Sequence, residues 1–303
     1  MKLQWPGRSP WDETWFIEGM LDDGRGLWLR YTLCHGRPNT AATWAILSSA
    51  TGVTGGWRPV SLSHLTPDPT ACFSLDEQVL TTDRARGSVQ GLAWDLHLTH
   101  AAASYSLVPD PLARLGRTYR TESPSLHLEG TLVVDGEPEQ VRGRGVLGHL
   151  YGARSRLKRW SWVHARDASG QGAEILVGEL AVAGMPLPPL VSATVWHEGH
   201  TAHLHRLSTA VRGWATWRGD SVYFKLRQDS MTVQGAATLH GPSTALVRYT
   251  QADGRQAFCR NSPFSRVELS VHRDGEDPWF WSTTTAAVEH GSPYRPAGRV
   301  VAG

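Results

Sequence analysis

The chain is 303 residues long, with 19% charged residues, 40% hydrophobic residues and a formal net charge of +2. This length is sufficient for two domains of ordinary size, each with its own core. The near-neutral charge balance disfavours both a disordered chain and a polyanion-binding class, so no nucleic-acid partner is expected.

The cysteines and the N-terminal segment bear on the cellular compartment. Cys34, Cys72 and Cys259 lie far apart without a C-x-x-C pair, which predicts buried, reduced thiols and neither a disulfide framework nor a structural zinc site. The opening MKLQWPGRSPWDETWF interrupts the apolar core that a signal peptide needs, and no run approaches ~18 apolar residues. We therefore expect a cytoplasmic protein without an integral membrane segment.

The pattern along the chain predicts an all-β protein. Short runs rich in Val, Leu, Thr and Trp recur between Gly, Pro and Asp, as in strands joined by hairpins. The predicted strands are Glu13–Met20, Leu27–Leu33, Val89–Leu98, Ser125–Val134, Gln140–Leu147, Arg159–Ala165, Glu174–Val182, Leu190–Trp196, Val222–Leu226, Thr232–Leu239 and Val267–Val271. One short helix is predicted at Pro111–Leu115, inside Tyr105–Pro124, which we interpret as a long loop.

Two matches indicate an internal duplication. Val89-Gln90-Gly91 recurs as Val233-Gln234-Gly235, at an offset of 144 residues. The hairpin that starts at Trp15 and turns at Gly24 is similar to the one that starts at Trp160 and turns at Gly170, and the two turn glycines are 146 residues apart. Two similar offsets favour a repeated unit of domain size. We expect an N-terminal domain over 1–152 and a C-terminal domain over 153–303, with a basic linker at Ala153–Arg159.

Tryptophan is the unusual component of the composition. The chain has 14 Trp residues, and such large rings with a polar N–H are typical of a cavity wall or a binding face. Alternation along a strand places Trp160, Trp162 and His164 on one face. With a hairpin loop at Ala168–Gly170, His164 lies opposite Glu174, which would give the imidazole a carboxylate partner.

A second aromatic segment lies earlier in the chain. His149 and Tyr151 share one strand face in Gly148-His-Leu-Tyr-Gly152.

The first-half hairpin offers Trp15, Glu18, Trp28 and Arg30. With a loop at Asp23–Arg25, Glu18 faces Arg30. This pair is either a charge-assisted pair at a cavity mouth or a plain cross-strand surface pair.

Two other motifs favour ordinary structural roles. Gly143–Gly148 matches G-x-G-x-x-G but is not followed by a helix start, so its glycines are read as close-approach positions in a strand. His197, His200, His203 and His205 cluster without carboxylate or Cys partners at ligand spacing, so a solvent-facing hairpin is favoured over a metal site.

The chain resembles the tandem-lipocalin superfamily of carotenoid 1,2-hydratases, tocopherol cyclases, AttH-like proteins and lipocalin-type Diels–Alderases. The resemblance lies in Glu13-Thr-Trp-Phe-Ile-Glu18, Leu27–Leu33, Gly148–Gly152 with Trp160–His164, and Cys259-Arg-Asn-Ser262. It implies two lipocalin-like antiparallel β-barrel halves packed together, a hydrophobic polyene, prenyl or polyketide ligand, and chemistry without a cofactor. Hydratase-like members carry an Asp before the central His, where this chain has Gly148.

The leading hypothesis is a pocket for a bulky apolar small molecule in which a side-chain acid promotes cyclisation, isomerisation or hydration. His149, Tyr151, His164 and Glu18 are the candidate acids or relays. Trp15, Trp28, Arg30, Trp160, Trp162 and Glu174 are the candidate binding residues. Neither a metal nor a cofactor is expected. One alternative is a carrier without chemistry. Another is a carbohydrate-binding or glycosidase fold, which is less favoured because no carboxylate pair stands out.

Overall fold

The structure is a computed structural model that describes residues 2–7, 9–36, 39–62, 71–108, 116–153, 157–182, 185–298 and 300–302. It is nearly all β, as predicted. Within these residues the only α-helix is α1 (Leu207–Arg212), and no helix reaches the length and apolarity needed to cross a membrane.

The first half of the chain forms one antiparallel sheet. Its strands are β1 (Trp11–Leu21), β2 (Gly26–His35), β3 (Thr40–Ser49), β4 (Gly52–Ser61), β5 (Ala71–Leu75), β6 (Gln78–Thr81), β7 (Arg84–Val89), β8 (Leu92–His100), β9 (Tyr105–Ser106), β10 (Arg117–Val134) and β11 (Glu137–Gly152). They are ordered β4-β3-β2-β1-β11-β10-β8-β7-β6-β5, and β9 pairs with β10.

The second half repeats this plan. Its strands are β12 (Leu157–Arg166), β13 (Gly172–Val182), β14 (Met185–Pro186), β15 (Leu190–His197), β16 (His200–Leu204), β17 (Trp214–Arg218), β18 (Ser221–Gln228), β19 (Met231–Thr238), β20 (Ala245–Thr250), β21 (Gln256–Arg273), β22 (Trp279–Ser292) and β23 (Val300–Ala302). The main order is β16-β15-β13-β12-β22-β21-β19-β18-β17. Along the first sheet from β4 to β6, each strand has an equivalent in the second sheet from β16 to β17, in the same spatial order. The expected pair of lipocalin-like halves is therefore confirmed.

The two first hairpins also share their turn geometry. The N–H of Leu21 donates to the carbonyl of Arg25, and 146 residues later the N–H of Asp167 donates to that of Gln171. Gly24 and Gly170 occupy the same turn position with φ of 84° and 83°. The sequence match between these two hairpins therefore reflects a structural repeat.

The shorter sequence match is not structural. Gln90 and Gly91 form the turn between β7 and β8, whereas Val233–Gly235 lies inside β19. The strand predicted over Val89–Leu98 is correspondingly interrupted at this turn.

Each sheet encloses its own apolar core. In the first half β3 and β4 contact β7, and the enclosed side, here called the inner face, carries Trp15, Ile17, Leu29, Tyr31 and Leu147. In the second half β15 and β16 contact β18, and the inner face carries a cluster that includes Val163, Ile175 and Val288. Even-numbered residues of β1, β2 and β12 lie on the opposite side, here called the outer face, because side chains alternate along a strand.

The chain separates into two compact units. The first comprises Met1–Ser155, Ala245–Ala257 and Ala297–Gly303, and the second comprises Arg156–Thr244 and Phe258–Pro296. Strands β20 and β23 belong to the first unit and pair in parallel. The predicted division at 152/153 stays a prediction.

The loop expected over Tyr105–Pro124 is partly wrong. Arg117–Pro124 belongs to β10, and the register between β10 and β11 shifts at Thr121–Ser123 and again before Leu126. These irregularities break the apolar alternation that would have marked a strand. The predicted helix Pro111–Leu115 lies outside the described residues, as does part of the Ala153–Arg159 linker.

Two minor expectations are confirmed. All three cysteines are free and buried. Gly143 and Gly145 lie in β11 where a Cβ would meet carbonyl oxygens of β1 at 2.5 and 2.3 Å, so these glycines permit close approach of the strands.

Replacing Gly24 or Gly170 with Ala is expected to lower the free energy of unfolding by about 1–2 kcal/mol, because a Cβ is disfavoured at positive φ. A Cβ at Gly24 would meet nothing within 4 Å, and one at Gly170 would lie 3.5 Å from the Arg166 side chain, an ordinary contact, so no collision contributes. Gly52→Ala is the control, since Gly52 is equally open and has no positive φ. Chemical denaturation of the three variants measures the effect. Equal stability of Gly24→Ala and Gly52→Ala would contradict the turn assignment.

Candidate functional site

A buried histidine held between two glutamates is the most distinctive polar feature of the first half. The Nε2 atom of His149 lies 3.0 Å from Oε1 of Glu13, and its Nδ1 atom lies 3.1 Å from Oε1 of Glu122. His149 is 1% exposed and Glu13 is 0% exposed. Two ionised carboxylates can both accept hydrogen bonds from the imidazole only when it is protonated on both nitrogens, so this arrangement stabilises the imidazolium form.

Strand register creates this arrangement. In the pairing of β1 with β11, Trp15 lies opposite His149 and Glu13 lies opposite Tyr151. The Trp15 and His149 rings stack at a centroid distance of 4.8 Å, and Tyr151 approaches His149 to 4.6 Å. Glu122 reaches the histidine from β10, next to the register shift at Thr121–Ser123. The structure thus brings together three predicted residues: Trp15, His149 and Tyr151.

The electrostatic balance favours the protonated histidine. Burial disfavours the charged imidazole, but the hydrogen bonds to Glu122 and Glu13 outweigh it, so the pKa of His149 lies above its ordinary value of 6.5. Burial likewise opposes ionisation of Glu122, yet the His149 hydrogen bond holds the pKa of Glu122 below its ordinary value.

The two glutamates differ in their surroundings. Glu13 also accepts the main-chain N–H of Gln4 at 2.7 Å and the indole N–H of Trp11 at 3.3 Å. The side chain of Glu122 is 12% exposed, and its Oε2 atom lies 3.7 Å from Nε of Arg120. Glu122 is therefore the carboxylate of the pair that has contact with solvent.

Sequence reasoning missed Glu13 and Glu122 as site residues. Glu13 alternates with Trp15 along a predicted strand, a signal that could have placed it on the same face. Glu122 lies in a segment interpreted as loop, and the register shift beside it has no signature in the apolar pattern.

Gly148 is explained by packing on the outer face. A Cβ at Gly148 would lie 2.4 Å from the Phe16 ring and 2.9 Å from the hydroxyl of Tyr119. The Phe16 and Tyr119 rings stack with centroids 6.1 Å apart. An aspartate at this position would displace them, so the acid that the resemblance implies there is replaced by aromatic packing.

The second half contains a structurally equivalent histidine in a different state. His290 lies opposite Ser161 in the pairing of β22 with β12, as His149 lies opposite Trp15. Its Nδ1 atom is 2.8 Å from Oγ of Ser161, and its Nε2 atom is 3.1 Å from the carbonyl of Asp220. Burial lowers the pKa of His290 to about 4 despite its main-chain hydrogen bonds, so this histidine is neutral at pH 7.

Glu18, Trp28 and Arg30 lie on the outer face of the first half, opposite to His149. The expected pairing of Glu18 with Arg30 is wrong: Glu18 lies opposite Trp28, and Arg30 lies opposite Phe16. The hairpin is centred one residue earlier than expected because the N–H of Leu21 bonds to the carbonyl of Arg25. These residues therefore do not join the His149 cluster.

The remaining predicted residues gather on the outer face of the second half. His164 lies opposite Glu174, as predicted from the hairpin. The indole N–H of Trp162 donates to Oε1 of Glu174 at 2.7 Å, and the Trp162 and His164 rings stack at 6.1 Å. Trp196 meets His164 edge-on at 5.6 Å, while Trp160 is half-buried.

The four-histidine segment forms the β15–β16 hairpin. His197 lies opposite His200 across a turn at Glu198 and Gly199, and His203 stacks on His205 at 5.1 Å. Within the described residues, no group of three His, Cys, Asp or Glu side chains has an arrangement that could hold a metal ion.

Solved structures share this fold. A putative AttH from Nitrosomonas europaea matches with a TM-score of 0.62 and 15% identity over 97% of this chain and 100% of that one. Kievitone hydratase from Nectria haematococca matches with a TM-score of 0.55 and 11% identity over 92% and 88%. CghA with Sch210972 gives 0.57 and 10% over 94% and 90%.

No protein-family model matches the chain, and no curated protein does either. The structural matches confirm the tandem-lipocalin resemblance at the level of the fold.

His149→Gln is expected to cost more stability at pH 5.5 than at pH 9. Between its ordinary pKa and its raised folded pKa, the native protein holds a proton that the unfolded chain has released, so the contribution of His149 falls as pH rises. Denaturation of wild type and variant at both pH values measures this. A difference in stability that is constant or grows with pH would contradict the assignment.

His290→Gln is expected to show the opposite dependence. Because the folded pKa of about 4 lies below the ordinary value, wild type loses stability relative to the variant as pH falls from 6.5 towards 4. The ring ¹H–¹⁵N spectrum offers an independent check: His290 should remain neutral at pH 6, where His149 is protonated. A protonated His290 at pH 6 would show that the two sites have not diverged.

Proposed function

We propose that this protein binds a bulky apolar small molecule, of terpenoid, prenyl or polyketide type, and promotes a cofactor-free cyclisation, isomerisation or hydration of it. His149 is the proton-transfer group. The observation that carries the proposal is the imidazolium held between Glu13 and Glu122 and stacked on Trp15. A proton held among aromatic side chains is the group that acid-initiated chemistry on an alkene requires.

The two carboxylates supply a proton path. His149 donates its Nδ1 proton, which Glu122 otherwise accepts, to the substrate alkene. The N–H bond and the alkene π bond break, a C–H bond forms, and the adjacent carbon becomes a cation that then adds water or loses a proton. Glu122 is partly exposed and hydrogen-bonded to Nδ1, so it can return a proton from solvent to the ring. Glu13 is fully buried and fixes the ring through Nε2. Its remaining bonds to Gln4 and Trp11 keep the carboxylate in place.

Aromatic rings next to His149 suit a cationic intermediate. Trp15 and Tyr151 present their rings within 5 Å of the imidazole centroid. A desolvated cation near such a face gains about 2 kcal/mol or more. The indole N–H of Trp15 is buried and has no hydrogen-bond partner in the described part of the chain, so it is available to an oxygen atom of the substrate.

The comparisons support this class of function. Among the matched structures, one is a hydratase and one is described with the small molecule Sch210972. Hydration is one of the reactions that begin with protonation of an alkene. The cluster of Trp162, His164 and Glu174 in the second half is the alternative location for the chemistry.

A carrier function is the second candidate. Gly148 stands where the resemblance implies an acid, and Phe16 and Tyr119 occupy the space that an acid would need. A glycosidase function is less favoured, because Glu13 and Glu122, the carboxylate pair that the structure reveals, are separated by the imidazole between them.

The chemistry is tested in D₂O with geranylgeraniol, a prenyl alcohol with several alkenes. We expect wild type to yield hydrated, cyclised or deuterated product by mass spectrometry, and His149→Gln to lower the rate about 10²- to 10⁴-fold, the usual contribution of a general acid. Tryptophan fluorescence should show that the variant still binds the alcohol.

His290→Gln is the matched control, since it removes the equivalent histidine of the other half and should keep the wild-type rate. Conversion by His149→Gln at the wild-type rate would refute its role. Tight binding by wild type without any product would favour the carrier.

A further inference from the structure

On the outer face of the first half, Arg30 is a buried cation that has no acidic partner among the described residues. Arg30 is only 8% exposed. Its Nε–H donates to Oγ1 of Thr32 at 3.1 Å, and Nη2 donates to Oγ1 of Thr14 at 3.3 Å. Within the described residues, no Asp or Glu oxygen lies within ion-pair distance of Arg30.

Burial of an unpaired charge is costly, so such a group is ordinarily matched by an anion. Of the five guanidinium N–H bonds, the two threonines take two; the two on Nη1 and one on Nη2 have no partner among the described residues. These three lie at the end of the planar group, the edge with which arginine binds carboxylate or phosphate oxygens.

A second unused donor lies beside the guanidinium. The indole N–H of Trp44 is buried and has no hydrogen-bond partner in the part of the chain that the structure describes. Trp44 is 5% exposed, and its ring centroid lies 5.6 Å from Cζ of Arg30. The buried indole N–H of Trp44 and the free end of the Arg30 guanidinium, on adjacent strands, point to an acceptor that neither group finds among the described residues.

Aromatic rings define the shape of the site. Tyr249, from the 245–257 segment of the same unit, stacks on Arg30 with Cζ 3.8 Å from its ring centroid and meets Trp44 edge-on at 5.8 Å. Trp57 stacks on Trp44 at 6.2 Å and is 38% exposed, which provides a surface-facing ring next to the buried ones.

We infer that Arg30 and Trp44 form a binding site for an anionic oxygen group, a carboxylate or a phosphate, carried on a flat apolar body that contacts Trp44, Trp57 and Tyr249. The guanidinium fork and the indole N–H bind the oxygens, and the rings exclude water from the pair. Thr14 and Thr32 orient Arg30. This site is on the opposite face of β1 and β2 from His149, so it does not depend on the proposed chemistry.

Equilibrium binding of three probes tests the inference: 2-naphthoate, its neutral methyl ester and 2-naphthyl phosphate. We expect wild type to bind at least one anion about tenfold or more tighter than the ester, the contribution of a charge-assisted hydrogen bond. The tighter of the two anions identifies the group as carboxylate or phosphate. Equal binding of all three probes, or of none, would overturn the inference.

Arg30→Met should abolish the preference for the anion and leave ester binding unchanged. Trp44→Phe keeps the ring and removes only the N–H, so it should reduce the preference partially even if the Arg30 variant fails to fold. Arg84→Met is the control, because Arg84 lies in the same half but is exposed and paired with Asp95. Retention of the full preference by both Arg30→Met and Trp44→Phe would refute the site.

A stability measurement separates a binding role from a structural one. An unpaired buried cation destabilises the unliganded protein, so Arg30→Met should be at least as stable as wild type without probe. Addition of the preferred anion should raise the unfolding midpoint of wild type and leave that of Arg30→Met unchanged. A strongly destabilised variant whose midpoint still rises with the anion would show that Arg30 is structural. Neither result involves turnover at His149, so the two proposals fail independently.

Discussion

The register between β1 and β11 is the constraint on which the candidate site depends. It sets Trp15 opposite His149 and Glu13 opposite Tyr151, so one strand pair delivers an indole, an imidazole, a carboxylate and a phenol to the inner face. A shift by one residue would send every one of these side chains to the other face. The glycines of β11 hold the strands at this spacing, since a Cβ there would collide with β1.

The two halves share one strand order, but their equivalent histidines have different hydrogen-bond partners. Both halves place a histidine opposite the first hairpin strand, yet His149 meets two carboxylates whereas His290 meets a hydroxyl and main-chain carbonyls. Burial is severe in both places. Only the carboxylates offset the desolvation of the charged form, so the pKa of His149 is raised and that of His290 is lowered.

The two faces of β1 and β2 carry different electrostatics. The inner face has two carboxylates around one imidazolium, an arrangement that is satisfied within the protein. The outer face has a guanidinium for which Thr14 and Thr32 supply hydrogen bonds but no negative charge. The two proposals, proton transfer on the inner face and anion binding on the outer face, rest on this difference, which sheet alternation permits within a few residues.

The sequence alone determined the strand content, the repeat of the first hairpin and the opposition of His164 and Glu174, because alternation and turn residues are local signals. Shifting the second-half loop, Ala168–Gly170, back by 146 residues places the first-half loop at 22–24. With that loop Glu18 lies opposite Trp28, as the structure has it, and not opposite Arg30. Tertiary structure decided which groups surround His149. Glu122 and Glu13 lie 27 and 136 residues from it along the chain, and they meet it only through sheet pairing and a register shift that local sequence does not encode.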